Sequence, residues 1–449
     1  MQGPVNIAGG AKRMTDRSWA ARLKSRATTF RSDDAGAVTI FVVMTIPLLV
    51  AVMAIVADIG FAYVRQRQMQ VAADAAAYSA AGNIIYALTR GLTPTNYGLE
   101  ARSVAATSGF VNGANNVTVT SALGAPSSTT CVLPFDCVKV TINEQRHFVF
   151  LQAAQRLFNR ADQSGNLTIG AASVAAIRRD PNANYCMLAL AAANQADAVK
   201  IGGSATITTP TNHPCGIADN SSSNAAFNTT GCGSSADIPI NVVGGATANC
   251  SSSIVPQLGA YPTPDPYQAN GARTALENYQ PSSCASLASN AVTLSPGCYN
   301  DFKTNNNLTL LPGVYYLNKL DIGNITITGT GVTIIINPTQ TSWQFNGNAV
   351  LNIKAPTSGA FQGVAITSMA TRSSVSEFVY QGNLTAAFEG ALYFPHTTIK
   401  TTGSLNGTCM QIVADVIDLT GATTLNQDCP MFTGNGAPRI QTWETGLIQ

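Results

Sequence analysis

The residues that most often carry catalysis or bind metal ions are sparse in this sequence. Only 3 His occur among 449 residues, and His147, His213 and His396 stand far apart. Neither a metal-binding HExxH pattern nor a GxSxG nucleophile nor a phosphate-binding loop is present. The GTGVT run at Gly329 lacks the strand–loop–helix context of a nucleotide site. The sequence therefore predicts no catalytic residue, no metal site, no cofactor, and a protein that is not an enzyme.

A pair of carboxylates is the catalytic arrangement that deserves a test, because two acidic groups can cleave a polysaccharide. Asp415 and Asp418 lie three residues apart beside an apolar run. At odd spacing on a strand their side chains point to opposite faces, which argues against a pair. Glu377 and Glu389 are too distant in sequence to be assigned to one site. A polysaccharide-active enzyme is therefore the weakest functional hypothesis.

The 10 cysteines carry a different chemistry. A zinc site needs closely spaced ligand pairs such as CxxC, and none occurs, so disulfide bonds formed in an oxidising compartment are the better interpretation. Sequence alone does not fix the connectivity, but short loops close easily. The favoured pairs are Cys131–Cys137, Cys284–Cys298 and Cys409–Cys429. The remaining candidates are Cys186, Cys215, Cys232 and Cys250.

One segment, from Ala35 to Ala57, holds 23 residues without a charge. About 20 apolar residues cross a bilayer core as a helix, whereas a cleaved signal peptide has an apolar region of about 7–15. The segment therefore predicts a retained membrane anchor, with a cleaved signal peptide and a buried core helix as alternatives. Small residues at Ala51, Ala54 and Ala57 would let another helix approach closely.

The flanks of this segment predict its orientation. Only Arg65 and Arg67 follow it closely, whereas seven basic residues precede it, and such a bias keeps the preceding side in the cytoplasm. Everything after about Tyr63, including all the cysteines, is then expected outside the cytoplasm. The seven basic residues are Lys12, Arg13, Arg17, Arg22, Lys24, Arg26 and Arg31.

Helix-forming residues continue beyond the span without a proline. Span and extension are predicted to form one helix from about Val38 to Arg90, about 80 Å long, with a kink at Pro47. Asp58 falls near the outer membrane interface. An apolar stripe on the extension indicates a contact surface, and two occupants are equally expected: the protein's own ectodomain and a partner helix. The stripe consists of Val64, Val71, Ala75, Tyr78 and Ile85.

The stretch GAVTIFVVMTIPLLVAVMAIVADIGFAYVRQRQMQVAADAAAYSAA resembles the N-terminal segment of the TadG-like proteins of bacterial Flp (tight adherence) pilus systems. The matching features are Gly36, Pro47, Asp58, Gly60 and the run that begins at Gln70. The resemblance implies a single-pass protein of the bacterial inner membrane, with a periplasmic or surface-exposed ectodomain. Its implied partners are the membrane and other pilus assembly or secretion components.

One position departs from the pattern of pilin precursors. Substrates of prepilin peptidases typically carry a basic leader that ends in Gly, and the fifth residue after that Gly is Glu. Phe41 occupies that place after Gly36 in this sequence. The resemblance therefore favours an anchored accessory component over the major fibre subunit.

The rest of the chain predicts an α+β fold. Residues 1–34 form a basic tail, 35–90 the helix and its extension, 91–182 a small α+β module, and 183–449 a β-rich region. In the small module we expect strands at Asn116–Ser121 and Val138–Asn143, a helix at Phe148–Asn159 and a strand at Leu167–Ile177. The resemblance to the family extends to this module, whose members similarly place a helix with Phe between two strands.

The β-rich region contains a degenerate repeat in which a glycine turn leads into a short strand. Its copies begin at Gly203, Gly323, Gly347, Gly382, Gly403 and Gly421. Periods near 20 residues predict a β-solenoid, with a β-sandwich as the alternative. Strands are also expected at Val332–Ile336, Val350–Ile353, Gly390–Phe394 and Ile412–Leu419. The Pro-rich segment Ala260–Gln280 is predicted to be a surface loop.

Composition narrows the function. Charged residues make up 11% of the chain, against about 25% in ordinary domains, and the net charge is +2. No strong basic field is available to attract DNA or RNA, so no nucleic-acid partner is expected. The sequence predicts a non-catalytic, membrane-anchored structural or accessory component of Flp-type pilus assembly and surface adherence. The alternative is a surface adhesin that binds carbohydrate or another surface ligand through polar Asn, Thr and Ser ladders.

Overall fold

A computed structural model provides the structure of this chain. It describes residues 34–89, 92–124, 131, 136–148, 150, 166–179, 185–191, 194–202, 207–208, 215–230, 238–248, 255–319, 321–337, 343–345, 349–368, 377–380, 383–384, 388–403, 405–406, 409–421, 423–424 and 429–448. The chain divides into two compact units. The N-terminal unit comprises residues 1–71, 110–118 and 142–171, and the C-terminal unit comprises residues 72–109, 119–141 and 172–449.

The helices are dominated by one long element near the N-terminus. Helix α1 runs without interruption through Pro47, and at 1.5 Å per residue it is about 84 Å long. The predicted single helix is thus confirmed. The helices are α1 Asp34–Thr89, α2 Tyr97–Thr107, α3 Pro266–Ala269, α4 Ala272–Glu277 and α5 Pro430–Thr433.

Most of the remaining described residues form β-strands. The first ten strands are β1 Val117–Leu123, β2 Cys137–His147, β3 Asn166–Arg179, β4 Tyr185–Ala189, β5 Val199–Ile201, β6 Ile207–Thr208, β7 Gly216–Asp219, β8 Phe227–Thr229, β9 Ile240–Val242 and β10 Ala246–Ala248. The next nine are β11 Gln257–Leu258, β12 Thr293–Leu294, β13 Gly297–Tyr299, β14 Leu308–Leu310, β15 Gly313–Leu317, β16 Asp321–Ile322, β17 Thr326–Thr330, β18 Val332–Ile336 and β19 Trp343–Phe345. The last nine are β20 Val350–Lys354, β21 Val364–Ser368, β22 Glu377–Tyr380, β23 Asn383–Leu384, β24 Glu389–Thr401, β25 Leu405–Asn406, β26 Cys409–Leu419, β27 Thr423–Thr424 and β28 Trp443–Ile448.

The observed elements agree with the predicted α+β class. All three strands expected in the small module are present as β1, β2 and β3, whereas the helix expected at Phe148–Asn159 lies mostly outside the described residues. Strands β1, β2, β3 and β28 form a four-stranded sheet. Strand β28 pairs antiparallel with β3, with Trp443 opposite Arg179 and Ile448 opposite Val174. Neither α2 nor β28 was predicted from the sequence.

The other strands stack in parallel along three ladders. The first ladder follows the order β12, β14, β17, β20, β23, β25, β27 and β6. The second follows β13, β15, β18, β21, β24, β26, β4, β7, β9 and β11. The third follows β16, β19, β22, β24, β26, β5, β8 and β10. Strands β24 and β26 are long enough to belong to two ladders each.

The order of strands in these ladders differs from their order in the sequence. Strand β26, near the C-terminus, pairs with β4 and β5, which begin the β-rich region. Met187 lies opposite Ile412, and Val199 lies opposite Ile417. The chain therefore builds one part of the stack with residues 185–258 and the rest with residues 293–424, and the two parts meet inside the stack.

Alternation along the strands places apolar side chains between the ladders. In β14, Leu308 and Leu310 are buried while Thr309 is exposed. Larger side chains fill the same interior, where the rings of Phe378 and Phe394 stack with centroids 4.6 Å apart. Where the stacked turns approach closely, glycine is required. A Cβ atom on Gly421 would collide with the backbone carbonyl of Gly403, one repeat earlier.

The segment predicted to be a surface loop is instead a packed connection. Residues 260–280 contain α3 and α4, and they bury Tyr267, Ala272 and Leu276 against apolar side chains of the second ladder. The prediction was wrong because proline was read as a loop residue. Pro266 occupies the first turn of α3, where its missing N–H costs nothing, and the Asp265 side chain caps that helix by accepting from the Tyr267 amide.

Four disulfides are present among the described residues, and none of the described cysteines is free. The three favoured pairs, Cys131–Cys137, Cys284–Cys298 and Cys409–Cys429, are confirmed. A fourth bond joins Cys186 to Cys215 with Cα atoms 5.4 Å apart, and it links the first two repeats. Cys232 and Cys250 lie outside the described residues.

Candidate functional site

The N-terminal part of α1 exposes apolar side chains on all sides. Within the segment Val38–Thr89, the most apolar 18-residue window is long enough to cross a membrane, and none of that window is buried. Phe41, Met44 and Met53 are each about 70% exposed. Such a surface is costly in water and stable in hydrocarbon. The helix thus fits a single membrane crossing, as predicted, and does not fit the core-helix alternative.

The residues singled out in this helix lie at the expected places. Pro47 lies inside α1, and Gly60 has no neighbouring atom near the position of an added Cβ. Ala51, Ala54 and Ala57 are exposed or half-exposed, and Gly36 also lies within the helix. Close approach of another helix at these alanines remains a prediction.

Asp58 connects the end of the span to a later part of the N-terminal unit. Its Oδ2 atom accepts a hydrogen bond from the Phe150 amide at 3.1 Å. Beside it lies a pocket of about 260 Å³ lined by Ile55, Asp58, Ile59, Ala62, Phe148 and Leu167. Asp58 therefore binds the chain that follows β2, a role that the sequence did not reveal.

A buried ion cluster lies about two turns beyond Asp58 along the helix, and we call it the Glu144 cluster. Glu144 of β2 is 1% exposed and accepts from Arg65 Nε at 2.7 Å and from Arg146 Nε at 2.8 Å. Arg65 also covers the ring of Phe110, with its guanidinium 4.2 Å from the centroid, and Arg146 lies 5.3 Å from the centroid of Phe61. The cluster therefore fixes α1 to β2 within the N-terminal unit.

The charge of Glu144 is maintained by its partners. Burial acts to raise the pKa of this carboxyl, but the hydrogen bonds and charges of Arg65 and Arg146 outweigh it, so the pKa is lowered. A sequence signal for this site exists and was missed. Along β2, Val138, Val140 and Ile142 are buried, and Glu144 continues the same alternation. A carboxylate at an inward position predicts a buried cationic partner.

Replacing Glu144 with Gln is expected to destabilise the N-terminal unit by about 1–3 kcal/mol, because the charged hydrogen bonds to both arginines are lost. Since the folded pKa is lowered, this stabilisation is present above the ordinary Glu pKa and disappears as the pH falls through the folded value. Thermal unfolding of the full chain in detergent should show a lower midpoint for Glu144→Gln at pH 7 and a smaller difference near pH 3. The exposed neighbour Gln145 provides the control, since Gln145→Glu should have little effect. An equal loss at both pH values would contradict the prediction.

Beyond Val71, α1 packs through alanines rather than through the predicted stripe. In the C-terminal unit the helix buries Ala72, Ala76 and Ala80 completely, together with Ala73, Ala77 and Ala81. Val64, Val71 and Tyr78 of the stripe are 46–68% exposed, and Ala75 is exposed as well, so only Ile85 is buried. The expectation that the stripe packs on the protein's own chain is therefore wrong, because close packing against this helix uses small side chains, and contact of the stripe with a partner helix remains a prediction.

A second polar cluster, the Asp265 cluster, lies where the 260–280 connection meets the second ladder. Asp265 Oδ2 accepts from the Tyr393 hydroxyl at 2.8 Å and pairs with Arg273 at 3.3 Å. The Tyr267 hydroxyl donates to Gln411 Oε1 at 2.8 Å, and the rings of Tyr267 and Tyr393 lie 4.7 Å apart. Burial raises the pKa of Asp265 despite these partners. These groups satisfy one another, so the cluster fastens the connection to the strands.

The histidines and acidic residues that were considered for catalysis do not come together in one site. His396 lies 3.3 Å from Arg273 in the Asp265 cluster, His147 is exposed at the end of β2, and His213 lies outside the described residues. Glu389 pairs with Lys354 at 2.6 Å, and Glu377 lies 3.9 Å from Lys400.

Asp418 also lies among cations. It lies in register between Lys400 and Lys200, on the neighbouring strands of its ladder. Among the described residues, no group of three or more His, Cys, Asp or Glu side chains could hold a metal ion.

The first ladder carries an outward row of polar side chains. Thr293, Thr309, Thr328 and Asn352 lie in register on four successive strands. The hydroxyls of Thr309 and Thr328 are 3.3 Å apart. Strands in a sheet are about 4.8 Å apart, so this row presents hydrogen-bonding groups at a regular spacing.

These features define a protein with one long apolar helix that fits a membrane crossing, followed by a mostly β region. Residues 36–83 match the model of the Tad family, which describes TadE/G-like proteins of Flp pilus assembly, and the chain therefore carries a TadE/G-like segment. The match covers α1 from the start of the apolar span to the alanine-packed part. No curated protein matches this chain, and no solved structure matches it.

Proposed function

We propose that this protein is a membrane-anchored, non-catalytic accessory component of Flp-type pilus assembly. The observation that carries the proposal is the match of residues 36–83 to the Tad family, on a helix whose apolar side chains are exposed. In this role α1 holds the protein in the bacterial inner membrane and contacts other assembly components. Glu377 and Glu389 each face a lysine on a neighbouring strand rather than each other, so these two carboxylates do not form a catalytic pair.

We further propose that the ectodomain is a β-solenoid. Parallel pairing between strands about 20 residues apart supports a solenoid, because the sandwich alternative is built from antiparallel sheets. The proposed orientation places this region on the periplasmic or surface side. It is supported by the basic residues that precede the span and by the four disulfides that follow it.

The second candidate function is adhesion through a surface ligand such as a glycan. The outward row Thr293, Thr309, Thr328 and Asn352 favours it, because a regular row of hydroxyl and amide groups suits a polymer rich in hydroxyls. The two functions are compatible, since a pilus component with such a surface could also bind a ligand.

Deletion of the gene is expected to abolish pilus assembly and surface attachment without slowing growth. When the Ala54→Leu variant is expressed in the deletion strain, the variant should insert into the membrane but should not restore pili. Leucine keeps the span apolar and blocks the close approach of another helix. Met53→Leu, at an exposed position one residue earlier, is the matched control and should restore both. Pili are counted by electron microscopy and attachment by retained cells. A deletion strain with normal pili that fails to attach would favour the adhesin, and normal pili with normal attachment would refute both functions.

A further inference from the structure

An apolar surface in the N-terminal unit lies next to the end of the membrane span. Phe150, which follows β2, and Leu167, at the start of β3, are 48% and 47% exposed. Phe148 is 5% exposed and lines the 260 Å³ pocket together with Ile55 and Ile59 of the helix. We call Phe150, Leu167 and this pocket the juxtamembrane surface. It extends the apolar surface of the span without a break.

The depth of this surface follows from helix geometry. Ile59 lies about 30 Å along the helix from Val38, at 1.5 Å per residue, and the hydrocarbon core of a bilayer is about 30 Å thick. The juxtamembrane surface is therefore level with the boundary between hydrocarbon and headgroups. In water, these exposed apolar side chains would form an unfavourable patch, whereas at this depth they are solvated by lipid.

Cationic and aromatic side chains follow at the next level. Arg67 and Tyr63 are exposed and paired, with the Arg67 Nη2 atom donating to the Tyr63 hydroxyl at 2.9 Å. They lie about 6–12 Å beyond Ile59 along the helix, which is the level of the headgroups. Arg146 of the Glu144 cluster is 39% exposed. Arginine and tyrosine are the side chains that suit phosphate and the interface.

We propose that the juxtamembrane surface rests on the bilayer and that its pocket holds an acyl chain of a phospholipid. The occupant is a lipid rather than a protein because the surface is continuous with the span and combines apolar side chains with cations at headgroup level. Phe150 and Leu167 insert into the leaflet at the C-terminal end of the span. Asp58 fixes the inserted polypeptide segment by accepting a hydrogen bond from the Phe150 amide. The inference rests on the membrane anchoring included in the proposed function.

Photo-crosslinking of the full chain in vesicles of phosphatidylethanolamine and phosphatidylglycerol tests the inference. A benzophenone side chain at position 150 is expected to form an adduct with phospholipid. The same probe at position 48, inside the span, is the positive control, and at position 255, in the C-terminal unit and 84% exposed in the native chain, it is the negative control. We expect lipid adducts at positions 48 and 150 and no lipid adduct at position 255.

The other outcomes separate the two proposals. Adducts at position 48 but not at 150 would overturn the lipid-bound surface and leave the anchor intact. An adduct between position 150 and a second copy of the chain would overturn it in favour of a protein partner. Loss of the adduct at position 48 would instead refute the membrane anchor itself. A second probe at position 167 should behave like position 150, and its failure to label lipid while position 150 labels would contradict insertion of both side chains.

Discussion

Replacing Asp265 with Ala is expected to lower the free energy of unfolding of the C-terminal unit by about 3–5 kcal/mol, because it removes one partner of a buried ion pair. The side chain is 4% exposed and serves three groups at once: the Tyr393 hydroxyl, the Arg273 guanidinium and the Tyr267 amide. In a unit of about 340 residues, each kcal/mol lowers the unfolding midpoint by about 1.4 °C, because the unfolding entropy is about 2.1 cal/mol/K per residue. Circular dichroism of the full chain in detergent should therefore show a midpoint lower by about 4–7 °C.

The Glu277→Ala variant is the matched control for this prediction. Glu277 pairs with the same Arg273 at 3.0 Å but is 51% exposed, and exposed pairs contribute about 0–1 kcal/mol. Its midpoint should remain close to that of the native chain. If both variants lost the same stability, the effect would lie in Arg273 rather than in the buried carboxylate, and the account of the Asp265 cluster would be wrong.

Replacing Asp219 with Asn is expected to remove most of the pH dependence of stability between pH 4 and pH 7. Burial raises the pKa of this carboxyl to about 7, against hydrogen bonds from the Ser221 and Val199 amides that lower it. The folded state then keeps a proton that the unfolded state releases at its ordinary pKa. The contribution of Asp219 to stability is therefore fully present at low pH and is lost as the pH rises toward 7, by about 1.4 kcal/mol per pH unit and up to about 4 kcal/mol in total.

Asparagine resembles the protonated carboxyl, so the variant should equal the native chain near pH 4 and exceed it at pH 8. The measurement is the unfolding midpoint of both chains across this range. Asp197→Asn is the control, because Asp197 is half-exposed in the same group of repeats and accepts from Asn228. If the unfolding midpoint of Asp219→Asn varied with pH as that of the native chain does, this carboxyl would not be the cause of the pH dependence.

Local patterns predicted the elements that depend on nearby residues. The 23 uncharged residues from Ala35 were sufficient to predict α1, because the length of an apolar run decides whether it crosses a membrane. Short apolar runs predicted strands such as β18, whose residues are all buried, and β20, in which every second residue is buried. Short loops predicted three disulfides, since loop closure favours cysteines that are close in sequence.

Pairings between distant residues left no comparable pattern. Nothing around Met187 indicates that its partner is Ile412, because parallel pairing needs only an extended apolar strand on each side. The Asp265 cluster was hidden for a similar reason, since its partners Tyr393 and Gln411 come from distant strands. A local signal did exist for α3, because Asp265 followed by Pro266 is a typical helix start, but it was given less weight than the surrounding prolines.

The pairing of β4 with β26 determines when the β-rich region completes its folding. The paired residues Met187 and Ile412 are about 225 residues apart, and contacts of such long range form slowly. Strand β28 likewise reaches its partner β3 only after nearly the whole chain has been made. Until β26 has been made, β4 and β5 have one side unpaired, and an unpaired strand edge is prone to aggregation. A chain that stops before β26 would keep that edge open, so synthesis of β26 sets the moment at which the edge is closed and misassembly through it ends.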